Sequence, residues 1–396
     1  MRIVIAALSA PTGLNGVSRH AANLARGLLS LPDPPEIHFL VGAWQSSMFA
    51  RAIGSTHAQL RIHSMDIPHR TFARLRWYYR ELPRIARRLE ADLVHFTYTM
   101  PLDAPAFCCP TVVSLHDLYP FDIPQNFGWL KGRINRELMH QCMRGVDAIS
   151  CVSESTRARL RQRFGETLGR KAVTILNAVE PVAESAAQRP GKVSGDDPFL
   201  LCIAQHRQNK NIPLVLSIFE RLLRKHVVPE NTRLLIIGIS GPDTGLIRTR
   251  IRRQCLERNV TLLSGIRDAE LQWCYRKSQV LLAPSSIEGF GLPVVEALLA
   301  GCPVVCSDIP AFREIGGDRC RYVPFGANVE DRYERAIDET IAEGRGEPIT
   351  LPGLLPAALA EDYMALYRRL VAPAPQSHCP SYADPAAEEF DSVDAG

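Results

Sequence analysis

No stretch of this 396-residue chain approaches the roughly 20 consecutive apolar residues that a bilayer-spanning helix needs. Its N-terminal "MRIVIAALSAPTG" has only a short apolar run before a proline and a glycine, which reads as a buried strand rather than a secretory signal. A large charge of either sign is missing too: 46 Lys and Arg against 42 Asp and Glu leave +4, and no nucleic-acid partner is expected. The 11 cysteines form no framework; they are scattered, mostly inside apolar runs such as "FLLCIA" and "CPVVC", as in a reducing compartment. Cys302 and Cys306 flank a "PVV" strand that would aim them awkwardly for a shared metal, so they read as small buried hydrophobes. The expected location is cytoplasmic, at most peripheral on the inner face of the plasma membrane.

With 46% hydrophobic and 22% charged residues, the chain is long enough for two domains. Short β-branched runs alternate with helical segments, the pattern of parallel sheets flanked by helices. The first half offers "RIVIA", "EIHFLV", "LVHFT", "TVVSLH", "AISCVS" and "AVTILN"; the second offers "FLLCIA", "RLLIIG", "VTLLSG", "VLLAPS" and "PVVCSD". Between them a polar stretch rich in Pro, Gly and Ser marks a linker over 181–198, separating domains 1–180 and 199–350. A helix follows over 351–372, and the acidic, proline-rich 373–396 reads as a disordered tail. Two doubly wound domains facing each other would form a cleft, with ligands beyond the carboxyl ends of the strands.

Charge is unevenly spread: residues 1–180 carry 22 Lys and Arg against 14 Asp and Glu, or +8, leaving −4 for the rest. Much of the excess lies in "RTFARLRWYYRELPRIARR", Arg70 to Arg88, with seven arginines and one glutamate. It reads either as a helix resting on anionic headgroups or as a solvated face whose aromatics pack inward.

Four loops carry candidate chemistry. After "VLLAPS" comes "SIEGFGLPVVEALLAG", in which Pro293 suits the first turn of a helix and Gly301 its end. Its glycines let free amides meet a ligand at that helix N-terminus, with Glu288 in the loop and Glu296 expected on the first turn. After "FLLCIA" comes "QHRQNKN", where Arg207 and Lys210 precede a helix, either as a clamp for a diphosphate or as two exposed loop charges. The loop "SAPTGLNGVSRH" brings Gly13 and Gly16 to a helix start, but has neither the full dinucleotide fingerprint nor a P-loop Lys-Ser/Thr. In "SLHDLYP", His116 and Asp117 end a strand.

These residues carry a resemblance. "PSSIEGFGLPVVEALLAGCPVVCSDIPAFREIGGD", with Glu288 and Glu296 as an E-x7-E element, is similar to the retaining glycosyltransferases of family 4, and so are "SLHDLYP", "DAISCVSESTRARL", "TILNAVE" and Lys210-Asn211. The chain resembles that family from about Met1 to Val371. The resemblance implies an α/β GT-B fold of two facing Rossmann-like domains, the first binding the acceptor and the second the nucleotide-sugar, with the last helix crossing back to the first. It implies that Arg207 and Lys210 hold the diphosphate of a nucleoside diphosphate sugar and that Glu296 takes the ribose. Glu288 and the amides of Phe290, Gly291 and Leu292 would address the donor sugar, His116 would lie near the reacting centre, and Gly16 would admit the N-terminal loop to the phosphates.

The implied reaction is hexosyl transfer, with a lean toward mannose, to a saccharide or polyprenyl-diphosphate-linked acceptor, as in surface polysaccharide assembly. Glu288 and Glu296 share one loop and helix, unlike the opposed carboxylates of retaining hydrolases, so no covalent nucleophile is nominated. A front-face mechanism is implied, in which the leaving phosphate helps deprotonate the acceptor. No suitable Asp-x-Asp pair is present, and neither metal nor cofactor is expected. A sugar-nucleotide epimerase and a non-catalytic nucleotide-sugar-binding protein are the competing readings.

Overall fold

The computed structural model describes residues 1–10, 13, 15–54, 57–124, 128–179, 187–193 and 195–372. The tail expected over 373–396 lies outside them, as do residues 181–186 and 194 of the expected linker. The described chain divides into two compact units, the first comprising Met1–Leu118, Leu130–Ala178 and the chain from Pro352 onward, the second Tyr119–Trp129 and Val179–Leu351.

In the first unit, β1 (Arg2–Ala6), β2 (Glu36–Gly42), β3 (Leu60–Met65), β4 (Leu93–Phe96), β5 (Thr111–Leu115), β6 (Ala148–Cys151) and β7 (Ala172–Thr174) form one sheet. Its order is β3-β2-β1-β4-β5-β6-β7, with parallel pairing throughout. The apolar runs are buried on both faces, as a parallel sheet under helices requires. The helix Gly16–Leu29 starts where the Asn15 side chain accepts the Ser18 amide at 2.9 Å. It buries Ala21, Leu24, Ala25 and Leu28 in one cluster with Ile3, Ile5 and the C-terminal helix Pro356–Val371. The two helices approach so closely at Gly27 that an added Cβ would lie 2.1 Å from the Pro356 carbonyl oxygen.

The second unit repeats the design with β8 (Phe199–Ile203), β9 (Arg233–Ile237), β10 (Val260–Leu263), β11 (Val280–Ala283), β12 (Val304–Ser307) and β13 (Arg321–Val323), in the order β10-β9-β8-β11-β12-β13 and again parallel. Helix Ile212–Arg224 buries Val215, Leu216, Phe219 and Leu222, a stripe at helical spacing. Cys302, just before β12, and Cys306, within it, are both buried.

All eleven expected strands are present. Among the described residues there are two more, β3 and β13, and each closes an edge of a sheet, where only one neighbour is paired. Their sequences, "LRIHSM" and "RYV", are half solvated, so no apolar run announces them. The basic stretch folds as helix Thr71–Arg76, a wide π-helical turn over Trp77–Glu81 and helix Leu82–Arg88. Trp77 and Tyr78 pack inward, the Tyr78 hydroxyl donating to Leu8 O at 2.9 Å, while Phe72 and Tyr79 are exposed. Among the described residues, no helix is long and apolar enough to cross a membrane.

In both sheets the chain winds one way and then the other, reversing between β1 and β4 and between β8 and β11. Open sheets bind ligands beyond the carboxyl ends of strands at such a reversal. In the second unit this is where the loops after β8 and β11 emerge.

Candidate active site

Those two loops are stapled to each other. Asn211, at φ 50°, turns the chain into helix Ile212–Arg224 and donates its side-chain amide to Pro284 O at 3.1 Å. Asn209 donates to Ile287 O at 3.3 Å, and the Ser286 amide donates back to Asn209 O at 2.8 Å. The staple brings Lys210 Nζ to 2.5 Å from Glu288 Oε1. On the other carboxylate oxygen, Oε2, Glu288 accepts the Tyr119 hydroxyl at 3.0 Å. Glu288 is only 9% exposed, and a charge removed from water that far requires such partners. Lys210, Ser285, Glu288, Pro293 and Phe312 line one cavity at the ends of β8 and β11.

The helix Leu292–Leu299 follows directly. Gly291 caps it at φ +110°, where an added Cβ would sit 2.8 Å from the Phe312 ring and 2.9 Å from Ile315. Among the described residues, the amides of Phe290, Gly291 and Leu292 have no hydrogen-bond acceptor. Three donors thus gather at the positive end of the helix, an arrangement suited to anions and hydroxyls. Because Gly291 delays the helix until Leu292, Glu296 is its fifth residue and lies on the second turn, not the first as expected. There Glu296 Oε2 accepts the hydroxyl of the fully buried Tyr275 at 2.6 Å.

The two glutamates therefore have separate tyrosine partners and separate surroundings. Lys210 and Glu288 are brought together, whereas Glu288 and Glu296 are not paired as one acid and one base. Arg207, half-buried at the start of the Gln208–Lys210 turn, has no ion-pair partner among the described residues. Tyr119 and Tyr275 are the residues that sequence reasoning missed. Tyr119 follows Asp117 by two positions in a stretch already singled out; "LQWCYRKS" around Tyr275 carries no comparable signal.

In the first unit His116 sits just past β5 and is partly exposed. Its Nε2 lies 2.8 Å from Thr97 O, and because a carbonyl only accepts, Nε2 carries the proton and Nδ1 the lone pair. Desolvation lowers its pKa, which keeps the ring neutral near pH 7. Its ring meets that of His20 edge to face, centroids 4.9 Å apart. Gly16 is the exposed first residue of its helix, next to the Asn15 cap.

Comparison with known proteins adds a lineage. Residues 184–345 match the family model described as Glycosyl transferases group 1, and residues 14–182 match Glycosyltransferase Family 4. The chain is 24% identical over 334 residues to O-antigen chain mannosyltransferase B of Escherichia coli, covering 80% of this chain and 85% of that one. It is 26% identical over 257 residues to the serotype-specific mannosyltransferase WbdA of E. coli, 60% of this chain but only 30% of WbdA. Sucrose-phosphate synthase from Thermosynechococcus elongatus aligns over 94% of this chain and 99% of its own, at 17% identity and a TM-score of 0.67. Anabaena HepE, solved in complex with UDP and glucose, aligns over 94% and 95% at 15% identity and a TM-score of 0.62. Both share this chain's fold.

Proposed function

The chain belongs to the group 1 glycosyltransferases, and on that premise we propose that it moves a hexosyl unit, mannose in the first instance, from a nucleoside diphosphate sugar to a saccharide acceptor in surface polysaccharide synthesis, with retention at the anomeric carbon. The observation that carries this reading is the meeting of Lys210 and Glu288, 2.5 Å apart, beside the three unengaged amides of Phe290, Gly291 and Leu292. One small region thus offers a cation, a helix N-terminus and a carboxylate. A diphosphate bonded to a polyhydroxyl sugar asks for that combination.

In this reading Arg207 and Lys210 face the diphosphate, and the negative charge that grows on it as the glycosidic bond breaks is where they act most. Arg207 is the readier of the two, since Lys210 must turn from Glu288 or share itself. Glu288 and the three amides take hydroxyls of the donor sugar; Glu296, steadied by Tyr275, takes the ribose. His116 serves at the reacting centre through Nδ1. The chain's own cations supply positive charge to the leaving group, so transfer that persists in a chelator is expected. The mannose assignment draws on the names of O-antigen chain mannosyltransferase B and WbdA, and the nucleotide-sugar donor also on the UDP and glucose of HepE. A lipid-linked acceptor and peripheral membrane contact fit the exposed Phe72 and Tyr79 among the arginines of 70–88.

The test is a thermal-shift and calorimetric panel of GDP-mannose, UDP-glucose, UDP-N-acetylglucosamine and the free nucleotides, since a ligand of the folded state raises its melting temperature. GDP-mannose is expected to bind, and Glu296→Ala to weaken that binding more than Glu288→Ala does. Glu288→Ala is expected mainly to slow transfer. If no nucleotide-sugar stabilises the wild-type chain, the proposal fails.

A further inference from the structure

Behind His116 lies a set of buried polar side chains whose contacts are all satisfied by one ordered arrangement of protons. His20, His95, Ser114, Ser150, Asn177, Tyr363 and Tyr367 are each at most 4% exposed. His20 Nδ1 is 2.8 Å from Asn177 Oδ1, an atom that only accepts, so Nδ1 carries the proton and Nε2 must accept. Ser114 Oγ lies 2.8 Å from that Nε2 and donates its single proton to it. With that proton spent, His95 Nε2 at 2.8 Å donates to Ser114, and so does the Tyr363 hydroxyl at 3.1 Å, which also lies 3.5 Å from His20 Nε2. His95, donating from Nε2, accepts at Nδ1 from Tyr367; Tyr363 accepts from Ser150 Oγ at 2.7 Å. Every proton points along the chain toward Asn177.

Such an order requires two neutral histidines. A proton added to His20 Nε2 would leave Ser114 with three donors and its own proton without an acceptor. Burial works in the same direction, lowering His20 well below its ordinary pKa and His95 to about 3. The groups that bear on His20 are His95 from β4, His116 beyond β5, and Tyr363 from the C-terminal helix. Asn177 is tied to the same helix as His20, for Asn23 donates to the next carbonyl, Ala178 O, at 2.9 Å.

Resting on the reading that His116 acts at the reacting sugar, we propose that His20 is a positioning residue for His116, held in one tautomer and one orientation by Ser114, Asn177 and the C-terminal helix through Tyr363. His20 itself touches no substrate in this scheme. Its ring, 87° to that of His116, fixes the plane in which His116 Nδ1 presents its lone pair. Staying neutral, it also keeps a positive charge away from the His116 ring. The C-terminal helix, 247 residues beyond His116 in sequence at Tyr363, thereby belongs to the support of the site.

The experiment uses the full chain labelled with 15N-histidine, in wild type, Ser114→Ala and Tyr363→Phe. Wild-type His116 is expected to give one Nε2–H tautomer pattern at pH 7.5, where the ring is neutral. Ser114→Ala should convert this to an averaged pattern with a shifted titration, and Tyr363→Phe, which keeps the ring and removes only the hydroxyl, should do so in part. Release of GDP from GDP-mannose is measured alongside, and kcat should fall roughly tenfold to hundredfold with KM little changed, the cost of misplacing a reacting group. His116 signals identical to wild type in both folded variants overturn the inference, as does a rise in KM at constant kcat. Should His116→Ala leave kcat untouched, the reading of His116 falls, while a changed tautomer pattern in Ser114→Ala still upholds the coupling of His20 to His116.

Discussion

Replacing Lys210 by alanine removes the cation 2.5 Å from Glu288 Oε1 and leaves the carboxylate behind. The side chains of the pair are 17% and 10% exposed, so water reaches the abandoned charge poorly. Breaking one side of a buried ion pair costs about 3–5 kcal/mol, because the surviving charge stays desolvated without its partner. Here the Tyr119 hydroxyl still serves Oε2 at 3.0 Å and enclosure is incomplete, which favours the lower end, about 3 kcal/mol. Adding Glu288→Gln removes the stranded charge, so the double variant should be more stable than Lys210→Ala alone by about 2 kcal/mol. Urea unfolding at pH 7.5, followed by circular dichroism and by tryptophan emission with Trp273→Phe as a control for the second unit, measures all four corners of this cycle. A cost for Lys210→Ala below about 1 kcal/mol, or strict additivity in the double variant, would refute the claim that the pair is a coupled, desolvated unit.

Three further outcomes follow from individual contacts. Tyr275→Phe removes the 2.6 Å donor to Glu296 and should weaken GDP-mannose binding roughly tenfold by calorimetry, the worth of one hydrogen bond to a charged group; an unchanged Kd refutes the role given to Tyr275. Gly291→Ala forces a side chain into φ +110° and against Phe312 and Ile315, so the second unit should lose about 1–3 kcal/mol in the same urea assay, and wild-type stability would contradict the cap geometry. Stability should also fall with acid. His95 titrates near 3 when folded against an ordinary 6.5, so between those values the unfolded chain binds more protons. Its contribution is complete above about pH 6.5 and is lost as the pH drops, by about 2 kcal/mol at pH 5. His20 and His116 shift the same way and add to the slope. Urea midpoints from pH 7.5 to 5 test this, with His95→Gln expected to flatten the profile; an equally steep profile in that variant would count against it.

Much of the fold is written in local pattern. A strand buried on both faces must be a run of β-branched and aliphatic residues, so β1, β8 or β11 declares itself in four or five letters, and the alternation with helical segments fixes a parallel sheet. Gly291 and Pro293 mark a helix start for equally local reasons, since only certain backbones tolerate a positive φ or a missing N–H. The family resemblance rests on the same short-range signals, and for that reason it reached Lys210, Glu288 and Glu296.

What pattern leaves open is pairing across distance. Strands β3 and β13 escaped because an edge strand has only one neighbour and half of its side chains in water. Nothing in "QNKN" or "IEGFG" says that Lys210 and Glu288, 78 residues apart, share a proton's width of space. That contact depends on the reversal of strand order, which sets the loop after β8 beside the loop after β11. Tyr119, Tyr275 and the chain of protons behind His116 were likewise decided by tertiary structure, because a hydroxyl acquires meaning only from the acceptor that packing places before it. The sequence determined which residues can carry charge and where the backbone turns; the fold alone decided which of those charges meet.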